Sequence, residues 1–564
     1  MKAHYPAQDV LIGGRSAGDR VEGEGAVVRE AKGRADALSA TALLNCLIRE
    51  VAETGPRTDP DHAVHRLPAT GRLLRVRAGR RPADPCVRTD GGWLPLTFEA
   101  LVALTADELV RRTGVTNRTL VGEMTDSRDV VAALQDARAS ACPPEDPYLR
   151  SEQALLAGHR YHPAPKSRGA GAPESWLPYA PEAYARFPLE LLGVRADVVA
   201  EDGDPSLLDV LGTEAPEGYV VLPIHPWELD LLRESSLPAF RDGRLLRLGG
   251  GAPRAGLAVP TSSVRTVYLP EADLFCKFGL DVRITNGNRR LELRDLLWLR
   301  TVADLLAPVL DPFPAATFLA DRGYRTADLG GQHAYEGFAV IAREGLRPHL
   351  RPGVTPLLAA GIGEGFPGNP IDGLTPERAL AWWRRYLDLL VPPVLHAWRA
   401  HGLVLECHLQ NVLVGVDATG LPAQMVFRDH EGVRIVAERH RGLLDRHGPR
   451  GPAPALDAAH GWDRLAYCLV TNNLYEIAGA LTDRHPELSG ALWPLARAVF
   501  AGYAAEHGGP AEVSALLDSP HVPAKTNLLL RWLDADGADA RYVPMANPLR
   551  PPSRRDLSAP GGPA

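Results

Sequence analysis

Four short segments of the chain place ionisable and amide side chains inside runs that are otherwise apolar. They are residues 158–169 (GHRYHPAPKSRG), 260–267 (PTSSVRTV), 405–414 (LECHLQNVLV) and 427–432 (FRDHEG). A polar group that is buried without a hydrogen bond costs free energy, so such groups either form internal networks or bind a ligand. These segments are therefore the candidates for chemistry.

The first two segments are rich in cations. Residues 158–169 hold two histidines, a lysine and two arginines beside glycine and proline, which predicts a fixed loop that presents positive charge or, alternatively, a solvated basic loop. Ser263, Arg265 and Lys277 lie in strand-like runs, so their side chains can project from one face of a sheet. Such donors suit phosphate or carboxylate oxygens. Cross-strand ion pairing on an exposed face would use the same residues.

The other two segments combine carboxylates with amides. Glu406, His408 and Gln410 are all even-numbered, which predicts that they share one face of a strand. Asp429 follows Asn411 by eighteen residues, enough for a hairpin that returns the carboxylate beside the amide. An asparagine and a carboxylate often hold Mg²⁺ against nucleotide phosphates. A structural hydrogen-bond network is the alternative.

The surrounding pattern predicts an α+β chain. Helical periodicity dominates up to about residue 150, short β-like runs fill about 218–293, and helical texture returns from 296, with a small hairpin formed by 403–417 and 423–436. Pro392 and Pro393 should kink or split the long helix over 376–402. We predict a mainly helical N-terminal region (1–150), a strand-rich region (151–350), a mainly helical C-terminal region with a small sheet (351–548) and a disordered tail (549–564).

Composition excludes several classes of function. The chain has 564 residues and a formal net charge of −7, which gives no electrostatic reason to expect nucleic-acid or membrane binding. No apolar run has the length of a membrane span, and the first residues have no secretion signal, so we expect a soluble cytoplasmic protein. Six scattered cysteines without CxxC spacing indicate free thiols. P-loop, dinucleotide-binding and serine-hydrolase motifs are missing from the sequence.

Taken in order, the motifs resemble the IucA/IucC family of siderophore synthetases, which work independently of non-ribosomal peptide synthetases. The resemblance spans about residues 150–548. The segments that carry it are GHRYHPAPKSRG, PIHPWELD at 223–230, SSVRT, Lys277, ITNGNRR, Arg343–Glu344, ECHLQN and FRDHEG.

The resemblance implies a three-lobed, cupped-hand architecture of thumb, fingers and palm. It implies a ligase that uses ATP and Mg²⁺ to adenylate citrate or another polycarboxylic acid, releases pyrophosphate, and joins the acyl group to an amine or hydroxyl. Its partners would be these small molecules and a second copy of the chain in a homodimer.

The family's site residues carry over by motif. The resemblance implies that Lys277, His408 and Arg265 act in catalysis. ATP would be bound by Ser263, Arg265, Thr266, Lys277, Arg343, His408, Asn411 and Asp429. The carboxylates of the acid would be held by His162, Lys166, Arg168, Thr285 and Arg289, and Mg²⁺ by Glu406 and Asp429.

One residue departs from the family pattern, and some choices stay open. The family has proline after the first histidine of its GHPxHP loop, whereas this chain has Arg160, which either adapts the site to a different substrate or points to solvent. The sequence does not separate free citrate from a citrate monoamide or a 2-oxo-dicarboxylate.

Two rival functions remain to be tested. HLQNVLV followed by an aspartate also resembles the catalytic loop of aminoglycoside-type kinases, although Glu406 stands where those kinases place an aspartate. Part of the C-terminal region is similar to ferric-siderophore reductases and other iron-handling proteins. No cysteine follows Cys468, however, so the cluster of cysteines that an iron–sulfur centre needs is missing from that end.

Overall fold

Helices and sheets alternate along the chain, and the α+β prediction is confirmed. The computed structural model describes residues 17–55, 59, 61–169, 171–211, 215–250, 256–447, 453–535 and 541–551. Most of the predicted tail over 549–564 lies outside these residues. The predicted three-lobed division with boundaries near 150, 350 and 548 stays a prediction.

The N-terminal region contains a five-stranded antiparallel sheet with the strands in chain order. The sequence analysis missed this sheet, because its strands are short and interrupted by charged and turn residues. The helices that follow begin at side-chain caps: Thr97 accepts from the Ala100 N–H, and Asn117 from the Leu120 N–H. The elements are α1 (Ala17–Glu50), β1 (Glu53–Thr54), β2 (His62–Arg66), β3 (Leu73–Arg77), β4 (Ala83–Thr89), β5 (Gly92–Pro95), α2 (Phe98–Thr113), α3 (Arg118–Ala139) and α4 (Pro147–Glu152).

The central region is strand-rich, as predicted. Its elements are α5 (Pro173–Trp176), β6 (Glu190–Arg195), β7 (Val199–Gly203), β8 (Tyr219–Ile224), α6 (Pro226–Leu231), α7 (Arg233–Arg241), β9 (Leu245–Gly250), β10 (Val259–Pro260), β11 (Thr266–Leu269), β12 (Leu274–Phe278), β13 (Leu280–Ile284), β14 (Gly287–Arg289), α8 (Leu293–Leu306), β15 (Ala316–Phe318), β16 (Asp321–Ala327), α9 (Gln332–Gly337) and β17 (Val340–Glu344). A six-stranded sheet has the order β10-β11-β12-β17-β16-β7, and a three-stranded sheet has the order β8-β6-β9.

The C-terminal region surrounds a four-stranded sheet, β15-β21-β20-β18, with helices. Its elements are β18 (Thr355–Leu358), α10 (Ala359–Glu364), α11 (Pro376–His401), β19 (Leu403–Val404), β20 (Val412–Val416), β21 (Pro422–Phe427), β22 (Arg434–Val436), α12 (Arg441–His447), β23 (Ala455–Leu456), α13 (Ala458–Ala466), a π-helical segment (Tyr467–Leu474), α14 (Tyr475–Arg484), α15 (Ser489–Glu506), α16 (Ala511–Asp518), β24 (His521–Lys525), α17 (Leu528–Trp532) and β25 (Tyr542–Ala546).

Two local predictions in this region are corrected and one is confirmed. Helix α11 runs through Pro392 and Pro393 without splitting, because its apolar face, including Trp382 and Trp383, is fully buried in the largest core cluster. Residues 405–411 form a turn and not a strand, so Glu406, His408 and Gln410 do not share a strand face. The predicted hairpin is confirmed, since β20 and β21 pair antiparallel. Among the described residues, no helix has the length and apolar character needed to cross a bilayer.

Candidate active site

The turn between β10 and β11 presents Ser263, Arg265 and Thr266. Ser263 and Arg265 lie in this turn, where the sequence predicted strand. Val264 between them has φ +67°, a left-handed conformation that is strained for a β-branched residue. Ser263 Oγ accepts from the Thr266 N–H at 3.1 Å, and Thr266 is paired with Lys277 across β11 and β12. The turn therefore brings the hydroxyls and the two cations together, as the motif predicted.

Lys277 lies at the centre of a buried charge network. Its Nζ contacts Asp429 and lies 2.7 Å from Glu431 Oε2. Arg343 donates from Nε to Asp321 Oδ1 at 2.5 Å and from Nη2 to Asp429 Oδ1 at 3.1 Å. Burial alone would raise the pKa of Asp429, but Lys277 and Arg343 outweigh it and hold that pKa well below its ordinary value. The carboxylate is thus ionised and shared between two cations.

Arg265 connects this network to a second hairpin. Its Nη1 donates to the carbonyl oxygens of Arg289 and Arg290 at 2.9 and 3.0 Å, and its Nη2 lies 3.3 Å from Glu431 Oε1. The hairpin is formed by β13 and β14. Arg265 therefore fixes the position of Arg289 relative to Lys277.

The turn over 405–411 is held in place from two sides. The π-helical segment supplies Asn472, whose Oδ1 accepts from the Leu409 N–H at 3.1 Å, and Asn473, whose Nδ2 donates to the Cys407 carbonyl at 2.9 Å. From the other side, Arg428 donates from Nη2 to the Gln410 carbonyl at 2.8 Å. Such π segments are frequent at functional sites because they re-aim side chains. Here the segment sets the position of the turn.

Within that turn, Glu406 and His408 lie beside the charge network. Glu406 Oε1 is 2.6 Å from Arg464 Nη2, and its Oε2 is 3.8 Å from His408 Nε2. Burial lowers the pKa of His408, so the imidazole is neutral. The Asn411 Nδ2 donates to the Glu406 carbonyl at 3.2 Å. Glu406, Asn411 and Asp429 line one pocket, together with Phe318, Cys407 and His430.

The backbone after β21 is shaped to bring these groups close. Asp429 has φ +79°, a left-handed conformation that costs about 1–3 kcal/mol when a non-glycine residue adopts it. A Cβ at Gly432 would lie 2.2 Å from Glu406 Oε2, so only glycine fits there. Strain at Asp429 and the close approach at Gly432 place the FRDHEG segment directly against Glu406.

The β13–β14 hairpin brings together three of the predicted acid-binding residues, Thr285, Arg289 and His162. Arg289 Nη2 donates to Thr285 Oγ1 at 2.6 Å, and Thr285 has φ +60°. Burial, with Arg265 nearby, lowers the pKa of Arg289 to about 10. His162 Nε2 lies 3.2 Å from Asn286 Oδ1 in the same hairpin, and burial holds the pKa of His162 well below its ordinary value.

Lys166 and Arg168 have other partners. Lys166 Nζ contacts Glu182, and Arg168 Nη2 lies 3.7 Å from the same Glu182 oxygen. The backbone N–H of Arg168 also donates to Asp126 at 2.9 Å. Among the described contacts, neither side chain reaches Thr285 or Arg289. Their predicted role in binding the acid therefore stays a prediction, whereas their observed contacts hold the loop together.

Comparisons with known proteins match this arrangement in sequence and in fold. The IucA / IucC family model matches residues 147–363. The L-2,3-diaminopropanoate–citrate ligase of Staphylococcus aureus is 29% identical over 445 residues, covering 72% of this chain and 75% of that protein. The rhizobactin siderophore biosynthesis protein RhbC of Rhizobium meliloti is 26% identical and covers 91% of this chain and 97% of that protein. These matches support the IucA/IucC family of siderophore synthetases.

Solved structures share the fold of this chain. The structure of ATP-bound aerobactin synthetase IucA from a hypervirulent pathotype of Klebsiella pneumoniae superposes with a TM-score of 0.78 at 22% identity, covering 91% of this chain and 99% of that one. A second family model, described as ferric iron reductase FhuF-like transporter, matches residues 380–540. Cys407 and Cys468 within that stretch are buried free thiols, and burial raises the pKa of each.

Several residues of this site were missed by the sequence analysis. Glu431 lies in a quoted motif, yet its contacts to Lys277 and Arg265 could not be foreseen from spacing. Arg464 and Lys525 come from distant elements, and Lys525 is half-buried beside Arg464, Glu406 and Arg289. Asp321 is a buried acid at the start of β16. An aspartate at the edge of an apolar strand is a feature of the sequence that could have pointed to this residue.

The donors in this site suit Mg²⁺ when a phosphate completes the coordination. Mg²⁺ in nucleotide sites takes one or two carboxylates, with substrate oxygens and water as its other ligands. Glu406 and Asp429 line the same pocket and offer carboxylate oxygens. No group of three or more His, Cys, Asp or Glu side chains arranged to hold a metal occurs in the described ranges. The residues thus fit a metal that arrives with a nucleotide.

Proposed function

We propose that this chain is an ATP-dependent siderophore synthetase. It adenylates citrate or a citrate derivative, releases pyrophosphate, and transfers the acyl group to an amine or hydroxyl. The names of the curated relatives support this proposal, since one joins diaminopropanoate to citrate and another takes part in siderophore biosynthesis. ATP use is supported by the ATP-bound state of the structural neighbour.

The observation that carries the proposal is the network around Lys277. Lys277, Arg265 and Arg343 are nearly fully buried, and each contacts Asp429 or Glu431. Their carboxylate partners are the more exposed side, at 24% for Asp429 and 17% for Glu431. A nucleotide phosphate that approaches from the carboxylate side can exchange partners with them. Lys277 and Arg265 then bind phosphate, and Asp429 becomes free for the metal.

The residues divide the reaction between two neighbouring hairpins. Lys277, Arg265, Ser263, Thr266 and Arg343 bind the phosphates, with His408 and Asn411 facing them from the opposite turn. Arg289, Thr285 and neutral His162 hold the carboxylates of the acid. Since Arg265 bonds the backbone of Arg289, the reacting carboxylate and the α-phosphate are held at a fixed separation. Lys166 and Arg168 belong to the acid side by resemblance.

Two transfers follow from this arrangement. In the first, a carboxylate oxygen of the acid attacks the α-phosphorus of ATP, and pyrophosphate leaves. In the second, the acceptor nitrogen or oxygen attacks the acyl carbon, AMP leaves, and the acceptor loses its proton. Fixed cations stabilise the charge that develops on phosphate oxygens, and each such donor contributes about 2.7–4 kcal/mol by analogy with oxyanion-hole donors.

Mg²⁺ belongs to the same proposal. Glu406 and Asp429 would hold it against the phosphates, where it neutralises charge on the leaving pyrophosphate. Arg464 positions Glu406 by its 2.6 Å contact. We also assign the chain to the cytoplasm, where ATP and citrate are available, and to a homodimer, which light scattering after size-exclusion chromatography tests directly.

Hydroxylamine trapping tests the function. Purified protein, ATP and Mg²⁺ are incubated with citrate, 2-oxoglutarate, succinate or malate, and hydroxamate and pyrophosphate are measured together. We expect hydroxamate with citrate and an equal amount of pyrophosphate. Release of ADP in place of pyrophosphate would support the kinase alternative. If none of the four acids gives hydroxamate or pyrophosphate, the substrate would be a preassembled citrate conjugate, which is tested next as the acid.

A further inference from the structure

Arg49, in the last turn of α1, lies outside the segments matched by the family models. Its guanidinium carbon is 3.2 Å from the centre of the Tyr161 ring, in the 158–169 loop. Arg49 is half-buried, and it makes no ion pair with a carboxylate in the part of the chain that the structure describes. Arg49 therefore presents a cation that no acidic side chain of the described residues neutralises.

Near Arg49, a buried glutamate and a buried arginine each have one atom without a hydrogen-bond partner in the described part of the chain. Glu476 Oε2 is 3.1 Å from Arg80 Nη2 and 3.5 Å from Arg160 Nε. The other oxygen of Glu476, Oε1, and the Arg160 Nη1 have no hydrogen-bond partner among the described residues. The two side chains are only 7% and 10% exposed. Arg160 does not point to solvent, which corrects one of the two interpretations of this departure from the family pattern.

The cluster carries an excess of positive charge. Arg80 is also 2.7 Å from Asp483, and Arg160 is 3.2 Å from Glu364. Four arginines share the neighbourhood with three carboxylates: the largely buried Arg80 and Arg160, the half-buried Arg49 and the exposed Arg81, against Glu364, Glu476 and Asp483. Since Arg81 faces solvent, the unpaired positive charge among the described residues of the cluster is that of Arg49, which favours an anionic group of a ligand.

A chain of hydrogen bonds connects this cluster with the acid-binding hairpin. The Tyr161 carbonyl accepts from Asn527 Nδ2 at 2.7 Å, and Asn527 Oδ1 accepts from Asn286 Nδ2 at 2.8 Å. Asn286 lies next to Thr285 in the hairpin. Burial, with His408, Lys525 and Arg49 nearby, lowers the pKa of His159 to about 4, so this ring is neutral. The cluster is therefore one loop away from the reacting carboxyl group.

We propose that Arg49, Tyr161, Arg160 and Glu476 form the subsite for the acceptor, and that the acceptor is an amino acid with a second nucleophilic group. Arg49 and Arg160 Nη1 bind its α-carboxylate, and Glu476 Oε1 accepts from its α-ammonium. The side-chain amine or hydroxyl then extends past His159 to the acyl group. This inference rests on the proposed function, since it names the class of the second substrate.

The zwitterion explains what a simpler acceptor does not. A plain diamine carries no carboxylate for Arg49, and placing one beside Arg49, Arg80 and Arg160 would add like charges. If the cluster instead bound a second molecule of the polycarboxylic acid, that molecule would contact only the arginines. Glu476 Oε1 would then remain without a hydrogen-bond donor. An α-amino acid uses both orphaned atoms at once.

Pairs of acceptors that differ only by the carboxylate test the inference. With the activated acid and ATP, product formation is measured for L-2,3-diaminopropanoate against ethylenediamine, and for L-ornithine against putrescine. We expect kcat/KM to be at least about tenfold higher for one of the amino acids than for its diamine. The Arg49→Gln variant should lower kcat/KM for that amino acid to the level of the diamine. It should leave hydroxylamine trapping and the KM of the acid unchanged.

Matched variants separate this role from a structural one. Arg49→Lys should restore part of the preference, and Arg384→Gln, an exposed arginine paired with Asp388 on α11, should behave as wild type. Equal use of both members of each pair, no turnover with any amino acid, or a change in the KM of the acid would overturn the inference. Absence of acid-dependent hydroxamate in the wild-type protein would instead overturn the proposed function.

Discussion

The Nζ of Lys277 lies 2.7 Å from Glu431 Oε2 and joins the middle of the six-stranded sheet to the turn that follows β21. Both partners are removed from bulk water, so their attraction is stronger than that of a surface pair. Glu431 keeps a second cation, Arg265, on its other oxygen. When one cation is replaced, each carboxylate therefore keeps its other cation. Single variants should for this reason stay folded and report on function.

Replacing Lys277 should abolish adenylation without unfolding the chain. In Lys277→Met, Asp429 retains Arg343 and Glu431 retains Arg265, so we expect a folded protein with a lowered melting temperature. The rate of acid-dependent pyrophosphate release should fall at least about a hundredfold, as for loss of one transition-state donor. Lys32→Met, at an exposed position of α1, is the control. Near-normal turnover in Lys277→Met would refute its phosphate role.

Arg265→Ala should lower the rate of pyrophosphate release similarly. It should also weaken binding of the acid, because Arg265 anchors the Arg289 backbone.

Arg289→Gln should raise the KM of the acid at least about tenfold more than the KM of ATP. The reason is that Arg289 faces the acid hairpin through Thr285, whereas the phosphates face Lys277. Steady-state kinetics with each substrate varied in turn measures both constants. Arg283→Gln, in the same hairpin but 43% exposed, provides the control. Equal changes in the two KM values would contradict the assignment.

Thr285 should show a conflict between stability and binding. Its left-handed backbone costs a β-branched residue about 1–3 kcal/mol, and asparagine tolerates this conformation better. Thr285→Asn should therefore melt at the same or a higher temperature than wild type, yet it should raise the KM of the acid because Arg289 loses its partner. Thr285→Ser retains the hydroxyl and should preserve the KM. A marked loss of stability in Thr285→Asn would show that the conformation is not strained.

Asp429→Asn should weaken the response to Mg²⁺. Removing this carboxylate should raise the Mg²⁺ concentration for half-maximal hydroxamate formation at least about fivefold, because one of two anionic ligands is lost. Asp417→Asn, in the turn between β20 and β21, removes an aspartate of similar exposure away from the pocket. An unchanged Mg²⁺ requirement in Asp429→Asn, with activity retained, would exclude Asp429 as a ligand.

The buried Glu228 should make folding stability fall as pH rises. Burial, with Asp281 nearby, raises its pKa from 4.5 to about 8, while its Oε2 accepts from the Asp281 N–H at 2.7 Å. Between these values the folded chain binds more protons than the unfolded chain, so stability is lost with a slope of up to about 1.36 kcal/mol per pH unit. Glu228→Gln should flatten this dependence and melt higher than wild type at pH 8.5. Identical melting profiles for the two proteins from pH 5 to 8.5 would contradict this.

The sequence predicted which residues meet better than how the backbone brings them together. The family resemblance assigned Lys277, Arg265 and Asp429 to one site, and the structure places their side chains in one charge network. The backbone at 405–411 was predicted as strand, since alternation alone cannot distinguish a strand from a turn that is fastened by distant asparagines. Glu431, Arg464 and Lys525 converge only through tertiary packing, which has no periodic signature. Arg160 was recognised as a departure, but its partner Glu476 lies on a separate helix.

Helix α1 binds directly to a segment near the other end of the described chain. Next to Arg49, the carboxylate of Glu50 accepts from the backbone N–H groups of Asn527, Leu528 and Leu529 at 2.8, 3.0 and 2.8 Å. The family models match residues 147–363 and 380–540. Neither model includes Glu50, so neither covers both sides of this contact. These three hydrogen bonds join two parts of the chain that are 477 to 479 residues apart. Helix α1 and residues 527–529 are therefore expected to be exchanged together in any chimera, because separating them leaves the Glu50 carboxylate without its three donors.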